Sequence, residues 1–190
     1  SVMKQLLILS GKGGTGKTTI ASAFIKLAEA KAYADCDVDA PNLHLITGWN
    51  SNPKERDYYG LPKAEINQDL CIQCDKCRQN CRFDAISLDG KYTVNPYACE
   101  GCSVCEYVCP VEAITMIPTV AGELMLYSDQ EKVFSTAQLK MGSGTSGMLV
   151  TEVKRQMKNA TNDTELAIID GSPGIGCPVI ASLSGVDMVL

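Results

Sequence analysis

The sequence predicts an α/β fold: a mostly parallel sheet, interrupted in chain order by a small cysteine-rich α+β module. Three observations predict it. A short apolar run, Lys4 to Ser10, feeds a glycine-rich loop and then a segment with helical spacing. Two more apolar runs, "KAYADCD" and "ELAIID", end in acids, where strands of open parallel sheets meet their ligands. Between those runs, eight of the ten cysteines fall inside 39 residues.

Taken in order, Lys4 to Ser10 is a strand, and Thr18 to Ala30 is a helix with Ile20, Phe24, Leu27 and Ala28 as its apolar positions. "KAYADCD" is the next strand, and the polar segment Gly48 to Lys63, bearing proline and glycine, reads as a junction. "CIQCDKCRQNCRFDAISL" (Cys71 to Leu88) then realigns without a gap on "CEGCSVCEYVCPVEAITM" (Cys99 to Met116), a tandem repeat. After it, "ELMLYS" and "KVFSTAQLKM" read as strands, "SGMLVTEVKRQMKNA" as a helix capped by Ser146, and "ELAIID" as another strand. Val186 to Leu190 begins one more strand. A doubly wound sheet normally continues past such a point, so the chain reads as part of a longer protein that lacks the C-terminal part of its sheet. The expected division is a discontinuous nucleotide-binding domain, 1–62 and 119–190, around an insert, 63–118. Ser1 and Val2, ahead of Met3, read as a remnant added before the first methionine.

Composition narrows the function. With 190 residues, 45% of them hydrophobic, the chain has enough apolar material for a packed core, and its net charge of -5 argues against nucleic acid as a partner. No run of about 18 apolar residues and no secretory signal is visible, so the expected compartment is the cytoplasm, with membrane association left open. Ten cysteines without an export signal point to metal or redox ligands. Cys36 and Cys177, outside the repeat, read as small buried residues. His44 reads as a packing residue, and Lys154, Arg155 and Lys158 as a solvated basic helix face.

The loop "GKGGTGKT" matches G-x-x-x-x-G-K-[ST]. Gly11, Lys12, Gly13, Gly14, Thr15 and Gly16 supply the backbone N–H groups that converge on phosphate, and the following helix presents its positive end to the same anion. Lys17 is expected at the β/γ phosphates, the Thr18 hydroxyl on Mg²⁺ and Thr19 near the α-phosphate. The acids Asp35, Asp37, Asp39 and Asp170 at the strand ends read together as the groups that hold Mg²⁺ and orient the attacking water.

The two cysteine runs each follow C-x2-C-x2-C-x3-C, the bacterial two-cluster ferredoxin spacing in which the fourth cysteine ligates the other cluster. It predicts Cys71, Cys74, Cys77 and Cys109 on one [4Fe-4S] centre, with Cys99, Cys102, Cys105 and Cys81 on a second. Two structural zinc sites are the competing reading, although paired x2-x2-x3 runs fit zinc poorly. Pro110 follows Cys109, whereas Arg82 follows Cys81. Eight thiolates and two oxidised cores carry the formal charge from -5 to about -9, which favours a basic docking partner.

"KGGTGKTT" resembles the deviant P-loop of the MinD/ParA/nitrogenase iron protein class, "DCDVDAPNL" its switch I and "DGSPGIG" its D-x-P-P-G switch II, with Ser172 where that pattern has its first proline. The resemblance implies a P-loop ATPase with bound ATP or ADP and Mg²⁺, Asp37 positioning water and Asp170 as the Walker B acid. It also implies that Lys12 reaches across a nucleotide-dependent homodimer to the partner's phosphates. That class places a ligand of a dimer-bridging cluster just after switch II, near Cys177, but no second bridging cysteine is evident here. The expected function is ATP hydrolysis coupled to electron transfer through two clusters, toward a redox or cluster-acceptor protein. A cluster carrier of the Mrp type and a ParA-like positioning ATPase are the alternatives.

Overall fold

The computed structural model describes residues 3–161 and 163–190, so Ser1 and Val2 fall outside the described residues. The chain separates into two compact units, 1–58 with 121–141 and 145–190, and 59–120 with 142–144.

The first unit is built on a seven-stranded sheet. Its strands are β1 (Lys4–Ile8), β2 (Ala32–Asp35), β3 (Lys54–Tyr59), β8 (Val120–Ser128), β9 (Val133–Leu139), β10 (Leu166–Asp170) and β11 (Met188–Val189), in the order β11-β1-β10-β2-β9-β8-β3. β11, β1, β10, β2 and β9 run parallel, and β8 returns antiparallel to β9. The segment read as a junction supplies β3, an edge strand. "KERDYY" buries only Tyr58 along its length, so it lacks the apolar alternation that marks a strand in sequence.

Side chains alternate across the central strands and so divide the core into two layers. Leu7, Ala34 and Ile169 face one layer, closed by Leu149, Val150, Val153 and Met157 of α5 (Ser146–Ala160). Ile8, Tyr33 and Ile168 face the other, closed by Ala21 and Ile25 of α1 (Lys17–Leu27). The buried stripe of α1 is therefore Lys17, Ala21, Ser22 and Ile25; of the predicted positions, Phe24 packs partly buried against this layer, whereas Ile20, Leu27 and Ala28 are exposed. Lys17, Ala21 and Ile25 lie one turn apart on that face, and the buried Lys17–Asp170 contact turns it toward the sheet. Thr145, rather than Ser146, occupies the cap position of α5 and makes no side-chain capping bond.

The second unit is an antiparallel pair, β4 (Lys63–Ile66) with β7 (Ile114–Ile117), and a hairpin, β5 (Ile86–Asp89) with β6 (Lys91–Val94). Two one-turn helices complete it, α3 (Lys76–Gln79) and α4 (Val104–Tyr107). The repeat recurs in its backbone. Gln73, Asp75 and Asp84 have positive φ (55°, 63° and 49°), and so do Gly101, Ser103 and Glu112 at the matched positions (66°, 62° and 51°). Cys71 N–H donates to the Asn67 carbonyl at 3.1 Å, and Cys99 N–H to Asn95 at 3.0 Å. Two equivalent loops thus wrap two equivalent sites.

Candidate functional site

In the first unit three strands end side by side. Ile8 of β1 pairs with Asp170 of β10, which pairs in turn with Asp35 of β2. The loop after Ile8 is therefore placed beside two acids by the sheet register alone. Within it, Ser10 Oγ and Thr15 Oγ1 both donate to the Lys12 carbonyl, at 2.9 and 3.4 Å. Gly14 and Gly16 have φ of +73° and +84°, and a Cβ on Gly11, Gly13, Gly14 or Gly16 would meet nothing within 4 Å. The loop therefore surrounds open space. Gly16 is the N-cap of α1 and provides no side-chain cap, which leaves the first-turn N–H groups facing that space as an anion cradle.

Lys17 is buried, and its Nζ donates to Asp170 Oδ1. Asp170 is fully buried as well, and its Oδ2 has no partner among the described residues. An orphaned buried carboxylate oxygen beneath a phosphate cradle fits a Mg²⁺ site, because a buried acceptor left unpaired is costly. Thr18 is partly buried at the same helix start, whereas Lys12 and Thr19 are exposed. Asp37 is half-buried. Burial raises its carboxyl above the ordinary carboxylate range, and the Lys17 cation opposes that rise.

Asp35 departs from the expectation that the strand-end acids share one task. Its Oδ1 accepts the Asp37 N–H at 3.0 Å, and its Oδ2 accepts the Asn42 and Leu43 N–H groups at 3.0 and 2.9 Å. Both oxygens accept backbone N–H groups, so Asp35 shapes the 36–43 loop. Burial first, with Asp170 repulsion adding, lifts its carboxyl to about 6. Asp39 is exposed. Sequence reasoning also missed the role of Ser172. Its Oγ donates to the Cys36 carbonyl and ties the 171–176 segment to the 36–43 loop. The one signal was a hydroxyl where the family pattern has proline, a residue unable to make that bond.

Four single residues are corrected or placed. Cys36 is buried and burial pushes its thiol up to about 12, but Cys177 is exposed. Lys154 is not a solvated face residue: its Nζ donates to the carbonyls of Ala181, Ser182 and Ser184, closing the C-terminal end of α6 (Cys177–Leu183). His44 is partly buried at the start of α2 (His44–Thr47).

In the second unit the cysteines line two cavities, each with four. Cys71, Cys74, Cys77 and Cys109 line one, and Cys81, Cys99, Cys102 and Cys105 the other. Each cavity takes three thiols from one run and one from the other. Among the described residues, no three His, Cys, Asp or Glu side chains close on a point as ligands of a single ion would. Thiols spread around a cavity suit a cluster, in which each iron takes one thiolate. Burial raises the Cys77 and Cys105 thiols, so proton release accompanies metal binding.

Residues 64–116 match the 4Fe-4S dicluster domain family. An uncharacterized protein of Methanocaldococcus jannaschii is 37% identical across this whole chain, which spans 67% of that relative. An iron-sulfur cluster carrier protein of Rickettsia felis is 35% identical over 66 residues, 33% of this chain and 21% of its own. Among solved structures, the septum site-determining protein MinD complexed with Mg-ADP from Pyrococcus horikoshii aligns with 96% of this chain and 54% of its own, at 17% identity and a TM-score of 0.42. The chain therefore spans about half to two thirds of the proteins it resembles. By its identity and coverage the chain belongs to the family of the M. jannaschii protein, and its residues 64–116 form a 4Fe-4S dicluster domain.

Proposed function

We propose that this chain binds and hydrolyses ATP as a nucleotide-gated homodimer and couples that cycle to electron transfer through two [4Fe-4S] clusters. The observation that carries the ATPase reading is the buried Lys17–Asp170 pair, with its unpartnered Asp170 Oδ2, at the foot of the glycine loop and of an α1 start without a side-chain cap. In this state each charge neutralises the other. When a nucleotide enters, its phosphates offer Lys17 a stronger partner, and the ammonium turns from Asp170 toward them. Asp170 and the Thr18 hydroxyl are the groups that would then hold Mg²⁺. Mg²⁺ supplies charge stabilisation at the phosphates. Asp37, half-buried and close enough to feel Lys17, accepts a proton-side hydrogen bond from the attacking water and orients it.

Lys12 is exposed on the loop, held there through its carbonyl, so its ammonium is free to meet phosphates of a second copy. A cation supplied in trans is worth about 10³ to 10⁵ in rate in phosphoryl transfer. The neighbouring tip residue Ile175 is 96% exposed, an apolar group that a partner surface would cover. The cysteines provide the output: Cys71, Cys74, Cys77 and Cys109 hold one cluster, and Cys99, Cys102, Cys105 and Cys81 the other.

The partial match to a cluster carrier favours a second reading, in which the clusters are cargo delivered to an apo-protein. Anaerobic purification with iron analysis, followed by sedimentation in ATP and in ADP, tests both. Tight clusters that cycle between redox states in an ATP-dependent dimer support the first reading. Clusters that pass to an apo-ferredoxin support the second, and a monomer in ATP removes the gating.

A further inference from the structure

The two cysteine cavities correspond residue by residue, and where their walls differ they differ in charge. Asp75, Lys76 and Tyr92 line the cavity of Cys71, Cys74, Cys77 and Cys109, and the matched positions in the other cavity are Ser103, Val104 and Ala64. Conversely, Ile72 of the first cavity is matched by Glu100 of the second. Asp75 is neutralised within its own wall. Arg78 donates to both of its oxygens, each at 2.7 Å, and the Tyr92 hydroxyl donates to it at 2.7 Å. Lys76 remains as the uncompensated cation of the first wall and Glu100 as the uncompensated anion of the second, neither with an ion-pair partner among the described residues.

Charges just outside the walls do not reverse this difference. Lys63 donates to the Cys99 carbonyl beside the second cavity, a contact its matched residue Lys91 does not make at the first, and this narrows the difference without reversing it, because Glu100 opposes Lys63 there while Lys76 leaves the first wall positive. Asp84 and Glu112 stand at matched positions, and Arg82 beside Cys81 is offset by Glu106 beside Cys105. Reduction adds one electron and no compensating proton to a cluster, so a nearby cation favours it and a nearby anion opposes it.

On the two-cluster reading above, we propose that the cluster of Cys71, Cys74, Cys77 and Cys109 is the more easily reduced, and that it holds the electron in the one-electron-reduced protein. An external one-electron donor supplies that electron, which takes the cluster from the 2+ to the 1+ state. Lys76 and Glu100 are the positioning charges that set the order, and Cys74, exposed beside Lys76, is the edge through which the electron leaves.

The test is a dithionite redox titration of the anaerobic holo-protein followed by electron paramagnetic resonance, with iron content measured alongside. Two variants exchange matched residues, so each new side chain is already accommodated at the equivalent backbone position. The wild type is expected to reduce in two steps separated by about tenfold in equilibrium constant, about 59 mV for a one-electron couple. Lys76→Val should lower the first step and leave the second in place, and Glu100→Ile should raise the second and leave the first. Eight irons per chain with the opposite assignment, or with neither step moved, would overturn the inference while leaving the two-cluster reading intact. Wild-type protein purified without oxygen and lacking iron would overturn that reading, and the inference with it.

Discussion

Ser172 and Asp35 show how single side chains hold the 36–43 and 171–176 segments in place. The Ser172 hydroxyl binds the buried Cys36 carbonyl, so Ser172→Ala leaves that acceptor unpaired and should cost about 1–3 kcal/mol. A urea unfolding midpoint, with nucleotide affinity measured alongside, checks it: stability should fall and affinity should weaken together, because the loops lose their link. Asp35 makes a pH-dependent contribution. Its folded-state value of about 6 lies above the ordinary 3.8, so the folded state holds a proton that the unfolded state releases. The stability due to this group is fully present below about pH 4 and is lost as the pH rises through about 6. Asp35→Asn removes the titration, and the unfolding midpoint of wild type relative to the variant should decline over that interval. A constant difference would show that Asp35 does not titrate there.

Among the elements, α6 and β10 are placed by contacts that no periodicity reveals. Lys154 of α5 gathers the last carbonyls of α6, and charge-assisted bonds of this kind contribute about 1.5–3 kcal/mol. Because Lys154 is only half-buried, Lys154→Met should cost about 1 kcal/mol, with α6 amides losing hydrogen-exchange protection ahead of the rest of the sheet unit. Equal loss everywhere would deny the local cap. At the end of β10, a Cβ on Gly171 would lie 2.5 Å from Leu9 Cδ2 and 2.9 Å from the Ile8 carbonyl. Gly171→Ala should therefore push the phosphate loop off its position and weaken nucleotide binding more than it lowers stability. The elements themselves were mostly legible: strands β1, β2, β9 and β10 and helix α5 carry their period openly. β3 was hidden because only one of its residues is buried, and the α1 stripe was shifted because Lys17, drawn inward to Asp170, fixes which face of the helix meets the sheet.

For the whole molecule the decisive question is whether two copies meet over nucleotide. Lys12→Ala should retain ATP binding by the monomer, since Lys17, Thr18 and the loop N–H groups are untouched, yet lose ATP-dependent dimerisation and reduce turnover by about 10³ or more. Sedimentation in ATP and a phosphate-release assay measure the two effects, and an unchanged dimer with unchanged turnover would remove Lys12 from the partner's site. The cysteine loading can be checked separately from this, since the ligands lie in the second unit.

What the sequence determined by itself was the inventory of chemistry: the phosphate loop, the eight cysteines, and the swap of the fourth ligand between runs. Those follow from local rules, because a glycine loop needs particular torsions and a cluster loop needs particular spacing. Tertiary structure alone separated the two acids by their partners. Asp35 and Asp170 are paired by register, yet one has both oxygens consumed by backbone N–H groups while the other keeps one oxygen unclaimed. The difference is where the chain turns after each strand, and hydrogen-bond satisfaction across residues distant in sequence is information that a linear pattern does not carry.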